Sequence, residues 1–225
     1  MSNIRFEGAL WYAPIQKLSC TIVGVGATGS YLAMLLGRAG VKMMNLIDPD
    51  YLEAHNLASQ LYPMQDLNLS KVAACKKMLT NYTDVYTIKT SEYRIEVVPH
   101  LLNSNIITST LDSMSGRKFC FEGFKASNSA KIFLDSRIGA EYYEVYCVTK
   151  DNPSSIEKYE ATLFSDEQGN TGACNYQQSS HSANMAACEM VKFVTNYLIN
   201  QAMEETEHPW KISHDFRTNN YQIFE

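Results

Sequence analysis

No CxxC pair occurs among the six cysteines, Cys20, Cys75, Cys120, Cys147, Cys174 and Cys188. Their wide, irregular spacing argues against a zinc ribbon or a thioredoxin-type redox pair, so no zinc site is expected. No apolar run approaches the ~20 residues of a membrane span, and no membrane partner is expected. Residues 1–17 lack the apolar core and small-residue cleavage site of a signal peptide. On that reading the thiols are reduced and the protein is cytoplasmic. No Lys/Arg block stands out, and 19 Lys plus Arg against 24 Asp plus Glu leave a net charge of −5. A nucleic-acid surface is therefore not expected. Internal repeats and low-complexity segments are also missing. What is present is a chain of 225 residues, 45% hydrophobic and 19% charged, which excludes intrinsic disorder. A chain of this length buries roughly 70% of its unfolded surface and needs no disulfide to hold a core.

The first half alternates strands and helices. Leu18 to Val25 is an apolar, β-branched run of the kind that forms a buried parallel strand. Leu32, Leu35, Leu36 and Ala39 follow at helical spacing, with Gly40 as the stop. Val41 to Ile47 predicts a second strand, a helix starts near Ser70, and Thr83 to Thr90 and Asn105 to Leu111 predict two more strands. This βαβαβ order implies an α/β fold with a mostly parallel sheet and helices on both faces. Further on, Ala130 to Asp135 and Ala140 to Val148, with Gly139 between them, suggest an antiparallel extension of that sheet. Asp151 to Gly172 is polar and reads as loop-rich. Ser182 to Ile199 carries apolar residues on one helical face, with Ser180 or Ser182 as the cap, and Lys211 to Phe224 suggests a last hairpin.

Gly24-x-Gly26-x-x-Gly29 lies between the first strand and the first helix, the context in which such a turn cradles a phosphate. The helix N-terminus there offers free N–H groups and partial positive charge. Asp48, 19 positions after Gly29, stands at the end of the second strand, where a ribose hydroxyl is gripped. These residues alone point to a nicotinamide or flavin dinucleotide; a glycine-rich turn without ligand is the plainer alternative.

The following residues add Asp50, Asn56-Leu57, Gln60, Lys71 and Asp112. With Gly24, Gly26, Gly29 and Asp48 they resemble the pattern of the ThiF/MoeB/HesA family, the small bacterial relatives of ubiquitin-activating enzymes. The resemblance covers about residues 15–120, a nucleotide-binding half, and continues more weakly through the helix Met185 to Leu198. It implies a single Rossmann-like adenylation domain over 1–225, with 121–225 as the substrate-side and dimerisation half, working as a homodimer. The implied reaction is ATP- and Mg²⁺-dependent adenylation of the C-terminal carboxylate of a ubiquitin-like or sulfur-carrier protein with a Gly-ending tail, releasing pyrophosphate. Asp48 would then hold the ribose, and Asp50 would lie in the same nucleotide site. Asn56 and Gln60 would position the triphosphate, Lys71 would offset phosphate charge, and Asp112 would help hold Mg²⁺. A cation at a helix start, as at Lys71, is disfavoured unless a polyanion lies nearby. Structural readings stand beside these roles: Asp48 as a turn cap, Asn56 and Gln60 as loop residues, and Asp112–Arg117 as an ion pair.

The sequence departs from the pattern at Ser59, where the family usually has an Arg beside the triphosphate. Arg38, Arg117 and Arg137 are candidate substitutes, and Arg5 is the Arg available to reach a partner's site. Ala27 replaces a common glycine. Cys174 lies where some relatives carry an acyl-accepting Cys, with His181 nearby; an ordinary free thiol is the alternative. Asp135 and Arg137 face a substrate tail or form a structural salt bridge, the latter preferred. Trp11 and Tyr12 are expected to cover the core or an interface. Besides adenylation, two rival functions stand: a catalytically weak nucleotide-binding scaffold, motivated by Ser59, and an NAD-dependent oxidoreductase, motivated by the glycines with Asp48.

Overall fold

A computed structural model of the chain describes residues 4–169, 179–205 and 208–225. In chain order the helices are α1 (Tyr12–Ile15), α2 (Ala27–Ala39), α3 (Lys71–Tyr82), α4 (Met114–Ala126), α5 (Pro153–Glu160), α6 (Asp166–Gly169) and α7 (Ser180–Met203). The strands are β1 (Ser19–Val23), β2 (Met43–Ile47), β3 (Thr87–Ser91), β4 (Ile106–Ser109), β5 (Ile132–Gly139), β6 (Tyr142–Thr149), β7 (Lys211–Asp215) and β8 (Asn220–Phe224). They form one sheet in the order β3-β2-β1-β4-β5-β6-β7-β8. Pairing is parallel from β3 to β5 and antiparallel from β5 to β8. The sheet thus has the expected parallel half and antiparallel extension.

Both faces are covered. On one, Leu32 and Leu36 of α2, Val72 and Leu79 of α3, and Met190 and Val194 of α7 pack against Ile22, Leu46 and Val145. On the other, Phe121 and Phe124 of α4 and Tyr159 of α5 pack against Ile107, Phe133 and Val148. Strands β1 and β4 are buried almost throughout, Thr21, Thr108 and Ser109 included, as expected for parallel strands covered on both faces. Burying each such aliphatic or aromatic side chain contributes about 1.5–3 kcal/mol. Trp11 packs on the first of these cores and meets Phe6 in a tilted ring contact at 5.0 Å between centroids, as expected for a covering residue.

Several boundaries differ from the sequence reading. Strand β1 stops at Val23, because Gly24 turns the backbone. Thr83 is no strand residue: its N–H and hydroxyl both close the end of α3 on the Leu79 carbonyl, at 2.9 and 2.6 Å. Residues 151–169 are not all loop but contain α5 and α6. The Asn152 side chain accepts the Ser155 N–H, and Pro153 occupies the first turn of α5, a start signal present in the sequence. The cap of α7 is Ser179, whose hydroxyl accepts the Ser182 N–H. The β5–β6 turn falls after Gly139, with Ala140 at φ 52°. No helix among the described residues is long and apolar enough to cross a membrane.

Cys20, Cys75, Cys120 and Cys147 are buried free thiols, and Cys188 is an exposed one. Burial pushes all five thiols up, Cys75 to about 12. Iodoacetamide at neutral pH is therefore expected to label Cys188 slowly and leave the other four untouched until the chain is unfolded. Peptide mass mapping checks this; rapid native labelling of Cys75 would contradict the packing.

Candidate functional site

The site grows from the turn after β1. Gly24 sits at φ +87°, and its N–H donates to the Ile47 carbonyl at 2.8 Å. A Cβ at Gly29 would lie 2.0 Å from the Gly24 carbonyl oxygen, so only glycine lets α2 lie this close to the turn. Gly26 is the N-cap of α2 and has no side chain to cap it, so nothing from that residue covers the first-turn N–H groups. The turn is pinned from several sides. The Thr110 hydroxyl donates to the Gly24 carbonyl at 2.5 Å, the Ser30 hydroxyl accepts the Leu61 N–H at 3.0 Å, and the Tyr62 hydroxyl donates to the Val25 carbonyl at 2.5 Å.

Asp48 follows β2 directly and is buried. One of its carboxylate oxygens accepts the Val25 N–H at 2.8 Å, and the other accepts the Asp50 N–H at 3.0 Å. Burial raises its pKa above the ordinary carboxylate value, while Lys71 and the two N–H groups pull the other way. The side chain thus couples the end of β2 to the glycine turn, and the turn-cap role sits alongside its place in the site.

Lys71 opens α3, and its Nζ donates to Asp50 Oδ2 at 2.8 Å. The Lys71 side chain is 10% exposed and that of Asp50 64%, so the cation lies inside and its partner faces solvent. The penalty of a cation at a helix start is therefore met partly within the chain, by Asp50 and Asp48.

Asn56 accepts the Glu53 N–H at 2.9 Å in a reciprocal cap of the 3-10 turn Ala54–Ala58. Gln60 is buried, its Oε1 has no hydrogen-bond partner, and its Nε2 would lie 3.7 Å from a Cβ at Gly26. A buried amide oxygen left unpaired costs about 1–3 kcal/mol, and the amide that carries it lies beside the glycine turn through its nitrogen.

Asp112 does not end a strand. β4 stops at Ser109, and Asp112 lies exposed in the loop before α4. Nor does it pair with Arg117, whose guanidinium donates to Asp135, to the Ser136 carbonyl at 2.7 Å and to the Leu111 carbonyl. Asp135 is fully buried and also accepts Arg137 Nε at 3.0 Å and the Tyr159 hydroxyl at 3.0 Å. The salt-bridge reading of Asp135 and Arg137 is the one observed. Among the candidate substitutes for the residue missing at Ser59, Arg117 and Arg137 are thus engaged by Asp135. Arg38 lies at the C-terminal end of the 13-residue α2, about 18 Å from the glycine turn along the helix.

Cys174 lies outside the described residues. His181 is hydrogen-bonded to Glu141 at 2.8 Å and to the Ser179 hydroxyl at 3.1 Å. The described residues contain no group of three or more His, Cys, Asp and Glu side chains able to hold a metal ion. Asp112 is a single hard oxygen donor. That suits a Mg²⁺ ion held mainly by phosphates, not a metal centre built by the protein alone. Tyr62, Thr110 and Ser30 carry no sequence signal for their roles, because a hydroxyl that clamps a distant turn leaves no periodic or motif trace.

The family model described as "ThiF family" matches residues 2–222. Similar proteins include ubiquitin-like modifier-activating enzyme 5 of Drosophila persimilis, 33% identical over 102 residues, covering 45% of this chain and 27% of that protein. The enzyme of the same name from Mus musculus is 33% identical over 89 residues, covering 40% and 22%. The matched segments thus span about a quarter of the length of these relatives. Among solved structures, the chain is similar to PaaA, with TM-score 0.74 at 19% identity, covering 96% of this chain and 75% of that one. It is also similar to E. coli MccB solved with ATP, with TM-score 0.70 at 14% identity, covering 95% and 65%. At these identities the structural matches speak to the fold alone.

Proposed function

The chain belongs to the ThiF family, and from that membership we propose that it binds ATP with Mg²⁺ and adenylates the C-terminal carboxylate of a ubiquitin-like or sulfur-carrier protein with a Gly-ending tail. The observation that carries the reading is that Asp48 and Gln60 meet at one glycine turn, with Lys71 beside Asp48 and Asp50. Relatives named as ubiquitin-like modifier-activating enzymes support the same chemistry, and the fold is one that a neighbour solved with ATP shares.

Each residue has a physical task. The Gly26 N–H and the first turn of α2 present N–H groups and partial positive charge to the phosphates, since the Gly24 and Val25 N–H groups are taken by Ile47 and Asp48. Asp48, ionised, accepts from a ribose hydroxyl with the lone pairs its two backbone donors leave. Gln60 and Asn56 orient the triphosphate by neutral hydrogen bonds. Lys71 exchanges its bond to the exposed Asp50 for one to phosphate, at little cost since Asp50 stays solvated. Asp112 supplies the carboxylate for Mg²⁺, whose contribution is to neutralise phosphate charge. The substrate carboxylate oxygen attacks the α-phosphorus, the bond to the β-phosphate bridging oxygen breaks, and pyrophosphate leaves. Catalysis on this scheme is positioning and charge stabilisation. The functional assembly is a homodimer, with Arg5 the residue available to reach the partner's site.

Calorimetry tests the reading. Mg²⁺–ATP is expected to bind more tightly than NAD, and Asp48→Ala to weaken ATP by roughly tenfold to a hundredfold, as for a lost hydrogen bond to a charged group. NAD binding tighter than ATP would overturn it. Because burial raises the Asp48 pKa, acidification should weaken ATP binding from a higher pH than an ordinary aspartate near ~3.9 would give, and the Asp48→Ala variant should lack that limb. Stability runs the opposite way. Asp48 has a raised folded pKa, so its protonated form stabilises the fold at low pH, and that contribution is lost as pH rises through the folded value.

A second reading, a nucleotide-binding scaffold with weak catalysis, draws on Ser59. Two of the candidate arginines are engaged by Asp135 and a third lies at the far end of α2. Pyrophosphate release in the presence of a carrier protein would eliminate it.

A further inference from the structure

The Tyr62 ring is buried beneath the glycine turn, and its hydroxyl donates to the Val25 carbonyl at 2.5 Å. The N–H of Val25 itself donates to Asp48 Oδ2 at 2.8 Å. Val25 is therefore held at both its polar atoms, by a strand-end carboxylate on one side and a loop phenol on the other. The described residues contain no cis peptide bond, so the Gly26 N–H is antiparallel to the Val25 carbonyl and points away from the Tyr62 ring. The hydroxyl thereby sets the plane of the Val25–Gly26 peptide, and with it the direction of the N–H at the N-cap of α2. Tyr62 is anchored in turn. Its hydroxyl also meets the buried Cys75 thiol of α3, and burial pushes its pKa well above the ordinary tyrosine value, so it stays a hydrogen-bond donor through the physiological range.

We propose that Tyr62 is a positioning residue for phosphate recognition: by fixing the Val25–Gly26 peptide it aims the Gly26 N–H at the phosphates of a bound nucleotide. This rests on the nucleotide reading above and adds to it a residue outside the motif. The favoured ligand portion is the phosphate chain, not the base or ribose, because the peptide that Tyr62 controls belongs to the turn at the helix N-terminus.

Tyr62→Phe removes only the hydroxyl and keeps the ring in the core. Calorimetry of wild type and variant with ATP, ADP and adenosine, each with Mg²⁺, is the first arm. A loss of roughly five- to tenfold for ATP and ADP is expected, the size of one hydrogen bond, with adenosine changed less than about twofold. An equal loss for all three ligands, or no loss for any, overturns the proposal, since a merely structural role would not single out phosphates. The second arm needs no ligand: amide hydrogen exchange over residues 24–27 of the free protein. Faster exchange in the variant, with the strands of the parallel sheet unchanged, supports the pinned peptide, and unchanged exchange at the turn overturns it. Wild-type protein that binds none of the three ligands overturns the nucleotide reading, and phosphate positioning with it. The exchange arm then still reports whether Tyr62 holds the turn, so the two failures are distinguishable.

Discussion

Replacing Asp135 by Ala is expected to cost about 3–5 kcal/mol of folding stability, the penalty for removing one partner from a buried charge cluster. Asp135 is fully buried at the centre of β5 and accepts from Arg117, Arg137 and Tyr159. Its loss leaves two guanidinium groups sharing a low-dielectric space without a counter-charge. Arg117 would keep its bonds to the Ser136 and Leu111 carbonyls. Arg137 would keep its place 4.4 Å over the Tyr146 ring and its bonds to Thr162. Neither arrangement neutralises charge. Urea unfolding of wild type and variant measures the difference, and a loss below ~1 kcal/mol would show that water or backbone groups compensate the arginines after all. Nucleotide affinity is a separate readout. The Asp135 cluster reaches the Asp112 loop indirectly, through the Arg117 bond to the Leu111 carbonyl, so destabilisation should exceed any direct effect on ATP binding.

The second large effect is expected at Gly29. An alanine Cβ there would sit 2.0 Å from the Gly24 carbonyl oxygen and 2.8 Å from the Thr110 hydroxyl. Both are fixed groups: the carbonyl is backbone in the turn, and the hydroxyl is hydrogen-bonded to that same carbonyl. α2 must then lift from the turn, and overpacking of this kind costs about 1–3 kcal/mol or more. Gly29→Ala should therefore lower the melting temperature and abolish ATP binding together. Gly139→Ala is the control. A Cβ at Gly139 meets nothing within 4 Å, and its effect should fall within ~0.5 kcal/mol. Normal ATP binding by the Gly29→Ala variant would show that the helix can shift without deforming the cradle.

The parallel half of the fold is readable because its strands are buried on both faces. β1 and β4 accordingly show up as short runs rich in β-branched residues, a signal that does not depend on distant contacts. The boundaries are less readable. Thr83 has strand propensity, yet its hydroxyl and N–H close α3, and local side-chain hydrogen bonding outcompetes the extended form. Helix α5 is hidden by the polar composition of its stretch, although Asn152-Pro153 signals its start. The pairing of Arg117 departs from the sequence reading for a topological reason. Asp112 is near it in sequence, but β4 and β5 are adjacent and parallel, which brings Asp135 under the α4 guanidinium instead.

The glycine turn, the acidic end of β2, and the order of strands and helices that makes a mostly parallel sheet are all legible along the chain. Those are set by backbone sterics and by hydrophobic period, both local properties. Tertiary structure alone decided which charges meet and which polar groups stay unpaired. The Lys71–Asp50 pair spans two elements, Asp135 gathers two arginines, Gln60 keeps a buried oxygen without a partner, and Tyr62 clamps a turn 37 residues upstream. Such contacts depend on how the elements are stacked, and the free energy of a polar group depends on burial and partners that only the packed chain supplies.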